Sequence, residues 1–125
     1  MRSIALSLLL FTQVVGAQPT SSATVFSLSE QQVSDFEKEA LAGSAEKARR
    51  LYDYYAITRV DLQQARAWLI VCAENGEPVC QYNLGFVLNQ EKQNVRSVFW
   101  LTRSLENGNQ AANDLLKEIR GRGRE

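Results

Sequence analysis

No histidine occurs among the 125 residues of this chain. That absence removes the Ser-His-Asp and Cys-His constellations and most histidine-ligated metal hydrolysis. Proline and cysteine occur twice each. With prolines at Pro19 and Pro78 only, and no lasting alternation of β-branched and polar residues, nothing interrupts helices and little supports strands. The expectation is an all-α fold. An excess of one charge is also lacking, since 14 Lys and Arg stand against 14 Asp and Glu. A nucleic-acid partner normally requires a clustered cationic surplus, so none is expected.

Long apolar runs are missing as well. The one apolar stretch near the start, IALSLLLF, is far shorter than the roughly 20 residues of a spanning helix. It follows the positively charged MRS and precedes VVGA, which ends on small residues. This is the pattern of a secretory signal peptide over residues 1–17, cleaved after Ala17. No cysteine near that cut would carry a lipid. Export is therefore expected, to the periplasm in a Gram-negative cell, with no membrane anchor after cleavage. Loss of Arg2 leaves a formal charge of 13 − 14 = −1. Residues 18–28, beginning QPTSSATVF, read as a flexible leader, and 121–125, GRGRE, as a disordered tail.

What is present is internal repetition. GSAEKARRL starts at Gly43, GEPVCQYNL at Gly76 and GNQAANDLL at Gly108, at spacings of 33 and 32, each with Leu eight residues on. AWLIVCAENG (67–76) aligns with FWLTRSLENG (99–108). Each unit reads as two helices, with glycine capping one before polar residues open the next. Helices are expected near 30–42, 44–56, 61–74, 79–89, 94–107 and 110–120. The first could open on a capping box of Ser27 with Glu30 or Ser29 with Gln32. Short links make neighbouring helices antiparallel, and stacked pairs form a short α/α solenoid. Trp68, Leu69, Trp100 and Leu101 are expected in its core.

The run VDLQQARAWLIVCAENGEPVCQYNLG (60–85) resembles the Sel-one-like repeat, a relative of the tetratricopeptide repeat. Asp61, Ala65, Trp68, Ala73, Glu74, Gly76, Leu84 and Gly85 occupy the family's positions. The resemblance covers about residues 44–120, within a repeat domain at 29–120. It departs from the family at Tyr52, which replaces a glycine, and in the loops YYAITRVD and NQEKQN. The fold it implies is a right-handed, tetratricopeptide-like superhelix of five to six antiparallel helices.

Cys72 and Cys80 fall where that pattern has small alanines facing each other across the ENGEPV turn. The resemblance thus implies a disulfide, which an oxidising compartment would preserve. A redox or metal-binding pair is the alternative, but catalytic dithiols are usually two residues apart and no histidine completes a zinc site. Ser44 and Lys47 match S-x-x-K, the serine-lysine signature of penicillin-recognising enzymes, yet the companion S-D-N and K-T-G motifs are absent. A helix cap is the competing role for Ser44. Glu37 and Glu39 lie on different helix faces and offer no paired acid and base.

No catalytic residue, cofactor or metal is therefore expected. Repeat proteins of this kind offer extended concave faces for other proteins. The leading expectation is an exported binding module, an immunity or inhibitor protein that neutralises a partner such as a secreted toxin. A periplasmic regulator or envelope scaffold is the alternative, and a penicillin-recognising enzyme stands behind both. Superposing the tetratricopeptide pattern on the first helix of each unit directs nine residues into the concave groove. They are Arg49, Asp53 and Ala56, then Tyr82, Phe86 and Asn89, then Asp114, Glu118 and Gly121. Phe86 and Tyr82 are the expected anchors, with Arg49, Asp53, Asn89, Asp114 and Glu118 around them.

Overall fold

The computed structural model describes residues 25–123, so the signal-peptide reading, residues 18–24 and the last two residues lie outside it. The described residues are helical with no strand: α1 (Glu30–Leu41), α2 (Ala45–Asp53), a π-helical turn (Tyr54–Thr58), α3 (Leu62–Glu74), α4 (Pro78–Gln90), α5 (Asn94–Glu106) and α6 (Ala111–Arg122).

Local chemistry accounts for the boundaries. Ser29 and Gln32 form a reciprocal capping box at α1. Leu28 and Val33 flank it in the positions of a hydrophobic staple; Leu28 belongs to the core and Val33, partly buried, packs against it. Leu28 is therefore docked on the protein, a correction to its place in a flexible leader. Ser44 and Asp61 cap α2 and α3 through their side-chain oxygens. Glu77 caps α4, whose first residue, Pro78, would have had no N–H partner in any case.

Four helices end in one motif, in which the two residues after the cap donate backward to the last turn. The first of these residues is left-handed: Gly43 after α1, Gly76 after α3, Gly108 after α5, and Lys92 after α4. A side chain in that conformation costs about 1–2 kcal/mol, which glycine avoids. The sequence accepts the cost at Lys92 alone of the four.

Two departures from the expected helices have physical causes. The second helix closes at Asp53 and continues as the π turn, after which Val60 adopts φ 52°. A β-branched residue in that region is strained. The turn lies in YYAITRVD, which has no glycine to reverse the chain. At the other end, α6 runs through Gly121 to Arg122, so the proposed tail at 121–125 begins inside a helix.

Side-chain pairs define the packing direction. Cys72 at the end of α3 meets Cys80 at the start of α4, while Arg66 near the start of α3 pairs with Glu91 just beyond α4. The two helices are thus antiparallel. Pro78 and Ser104 meet in the same sense between α4 and α5. Gly85 lets those helices approach closely, since a Cβ there would lie 2.7 Å from Leu101 Cγ.

The core has two parts. The larger gathers residues of α1 to α4, including Ala40, Leu51, Trp68, Leu69, Leu84 and Leu88. The smaller comprises Leu101, Ala112, Leu116 and Ile119, with Tyr82 and Val98 packed against it. Trp68 is buried, and its indole N–H has no partner among the described residues. Trp100 is only half-buried and meets Phe99 edge-on at 5.1 Å, so the equivalent tryptophans differ in depth.

Candidate protein-binding face

The buried positions of α4 are Cys80, Gln81, Leu84, Gly85 and Leu88. At 100° per residue, Phe86 projects some 160° from Leu88, away from the core. Its ring is 42% exposed. An aromatic ring left in water forgoes burial worth about 2 kcal/mol, and of the apolar side chains of α4 only Val79 is exposed with it. Tyr82, one turn earlier, leans toward the smaller core and is half-buried there. The two expected anchors therefore differ: Phe86 is presented outward, whereas much of Tyr82 serves packing.

On α2, Arg49 reaches across to α4. Its guanidinium donates to Glu77 at 2.9 Å and lies 3.9 Å from Asp53. Glu77 also accepts the Cys80 backbone N–H, so one carboxylate caps α4 and ties it to α2. Sequence reasoning missed Glu77 as part of this face. The signal was its position directly before a helix-opening proline.

Burial pushes the Asp53 carboxyl above the ordinary carboxylate value; Arg49 and Arg50 oppose the effect and Glu77 adds to it. The neighbouring Tyr52 hydroxyl is raised chiefly by burial and then by Asp53, and it hydrogen-bonds Asn83 of α4. Arg49, Tyr52 and Asp53 thus form a half-buried polar seam joining α2 to the helix that carries Phe86. Ala56 lies beyond it, in a cavity of about 480 Å³ lined also by Tyr52, Leu62, Leu69 and Val87.

Of the remaining expected residues, Asn89 and Glu118 are joined at the other end of α4 through Arg122, and Asp114, in the first turn of α6, is not among them. Arg122 donates to Asn89 at 3.5 Å and pairs with Glu118 at 3.2 Å. Asp114 is exposed, and Gly121 is open to solvent. Arg122 itself was not anticipated, because GRGRE reads as a frayed end.

Cys72 and Cys80 are bonded, with sulfurs 2.05 Å and Cα atoms 5.8 Å apart, and both are buried. Together with Glu77 they are the one group of three potential metal-ligating residues among the described residues. With the sulfurs bonded to each other, no thiolate is available to a cation. At the S-x-x-K motif, the Ser44 hydroxyl accepts the Lys47 backbone N–H at 3.2 Å. The Lys47 ammonium lies over the Phe36 ring and 3.4 Å from Glu46, so its charge is engaged elsewhere.

Among known proteins, the chain is 26% identical over 107 residues to the "Uncharacterized protein YibG" of Escherichia coli (strain K12), covering 80% of this chain and 70% of that one. No family model matches the chain. No solved structure matches it either.

Proposed function

We propose that this chain is an exported protein-binding module, a small tetratricopeptide-like solenoid of the Sel-one-like kind. Its role is to neutralise a partner, such as a secreted antibacterial toxin, by direct binding in the periplasm. The observation that carries this reading is Phe86, a large aromatic presented to water on the central helix. The start of the same helix is tied to α2 by a polar cluster of Arg49, Asp53 and Glu77 that can set register. Buried aromatic anchors commonly carry much of an interface's energy, and a charged rim selects the partner. The repeat supports the solenoid: Asn75 bonds back to the Ala40 carbonyl, and its counterpart Asn107 donates to Gln81, which in turn donates to the carbonyl of Ala73, the repeat equivalent of Ala40. The disulfide supports export, because such bonds persist in oxidising compartments.

A regulatory or envelope-assembly scaffold would use the same face, and the two roles separate on whether the bound partner loses its activity. Penicillin-recognising chemistry receives less support, given the engaged Lys47 ammonium. The test begins with a partner captured from periplasmic extract and identified by mass spectrometry. Phe86→Ala is expected to weaken its binding by about 2 kcal/mol or more, with circular dichroism and melting temperature nearly unchanged. A variant that melts much earlier, or binds as tightly as the parent, overturns the assignment of Phe86.

A further inference from the structure

A second concave feature lies where the end of α4, the start of α5 and the end of α6 converge. It is a groove of about 510 Å³ with an apolar floor of Val98 and Ile119 and with Val95 standing exposed at its edge. Lys92, Arg120 and Arg122 stand around it, and no carboxylate among the described residues lines it. We propose that this groove binds a protein segment in which carboxylates flank an apolar side chain, the carboxylates meeting the three cations and the apolar group covering Val95.

Three observations converge on that chemistry. Val95 is 86% exposed, the most exposed of the large apolar side chains among the described residues. Neither Lys92 nor Arg120 forms an ion pair among the described residues, and Arg122 is shared only with Glu118 and Asn89. In a chain of balanced charge, this local surplus is a matter of placement. The third observation is the backbone at Lys92. The equivalent positions after α1, α3 and α5 are all glycine, and this one holds a left-handed lysine. Strain retained against an available glycine points to a use for the side chain. That use is a positive charge at the groove's lip.

A membrane surface is the competing anionic partner, but phospholipid headgroups favour flat cationic faces, whereas this site is recessed and small. A groove this size accommodates a few side chains, as peptide-binding clefts do. The inference goes beyond the Phe86 face and does not depend on it.

The test titrates the oxidised, isotope-labelled protein with the peptide Glu-Glu-Leu-Phe-Glu-Glu and follows amide shifts by NMR. Saturable shifts centred on Lys92, Val95 and Arg120 are expected, weakening with added salt. Lys92→Gly should reduce affinity about tenfold, equivalent to about 1.4 kcal/mol, while holding or raising the melting temperature. A merely structural lysine would not separate those two readouts. Val95→Asp should also abolish binding, and Phe86→Ala should leave it unchanged. The proposal is overturned by an absence of shifts at millimolar peptide, by equal binding of Lys-Lys-Leu-Phe-Lys-Lys, or by undiminished affinity in Lys92→Gly. Sedimentation with phosphatidylglycerol vesicles in place of peptide binding would assign the groove to membranes instead.

Discussion

The pairs α3–α4 and α5–α6 are built on one sequence pattern and held together differently. In α3–α4 the last turn of one helix is bonded to the first turn of the next through Cys72 and Cys80. The corresponding residues of α5–α6 are Ser104 and Ala112, both fully buried. Ser104 turns the other way: its hydroxyl donates to the Pro78 carbonyl of α4 at 2.6 Å. Ser97, which corresponds to Ala65, donates to the Gly85 carbonyl, also at 2.6 Å. The central pair is thus clasped within itself, and the following pair is fastened to its neighbour by polar bonds. A repeat can keep its buried positions while exchanging the interaction that closes them.

Removing the clasp should show the largest effect. Closure of a nine-residue loop restricts the unfolded chain by about 2.5 kcal/mol in the entropic model. Denaturation of the Cys72→Ala, Cys80→Ala double variant should report a loss near that size. A parent unaffected by reductant would mean that the central pair needs no covalent help.

Gly85→Ala attacks the α4–α5 contact that the serines also serve. The added Cβ meets Leu101 side-chain atoms at 2.7 Å and 2.9 Å and its backbone nitrogen at 3.2 Å, so one of the helices must shift. A loss of about 2 kcal/mol is expected in urea melts. A neutral result would show that the two pairs slide freely against each other.

The reverse experiment transfers the clasp. Ser104→Cys with Ala112→Cys should oxidise spontaneously, because the repeat places these residues as it places Cys72 and Cys80. The gain should be about 1.5 kcal/mol, less than a full clasp, because the bond to Pro78 is lost with Ser104. Mass spectrometry reads the new bond and calorimetry the gain. Two free thiols under oxidising conditions would show that the α5–α6 turn differs in geometry.

The smallest effect concerns pH. A carboxyl whose folded value lies above its ordinary 3.8 holds its proton longer in the folded state than in the unfolded one. Stability contributed by that proton is present at acid pH and lost as pH rises from 3.8 through the raised value. Asp53→Asn should therefore remove a small fall in stability over that window and leave the protein slightly more stable at neutral pH. Glu91 acts in the opposite sense, since hydrogen bonding to Arg66 lowers its value and its contribution is lost as pH falls. An unchanged pH profile in Asp53→Asn would mean that Arg49 fully offsets the burial of Asp53.

Much of the helical frame was legible because it is encoded locally. The three glycines and Ser44 mark helix ends through their own backbone or nearest turn, and of the two capping boxes the pattern allowed, Ser29–Gln32 is the one that forms. The left-handed Lys92 and the π turn were not legible, since neither lysine nor YYAIT advertises an unusual backbone. Of the expected face, Phe86 lay outward as its spacing implied. Glu77 and Arg122 were hidden because their partners, Arg49 and Asn89, are distant in sequence.

The sequence by itself determined the all-helical class, the glycine-marked turns and the burial of Leu69 and Leu101, because those follow from capping, glycine placement and periodicity within a few residues. Tertiary structure alone decided that Trp68 is buried while Trp100 is half-exposed, and that Ser104 reaches α4 where Cys72 is bonded within its own helix pair. It also brought Lys92 and Arg120 to one groove. Depth and pairing depend on what the next helix presents, and that is a property of long-range packing which no local pattern contains.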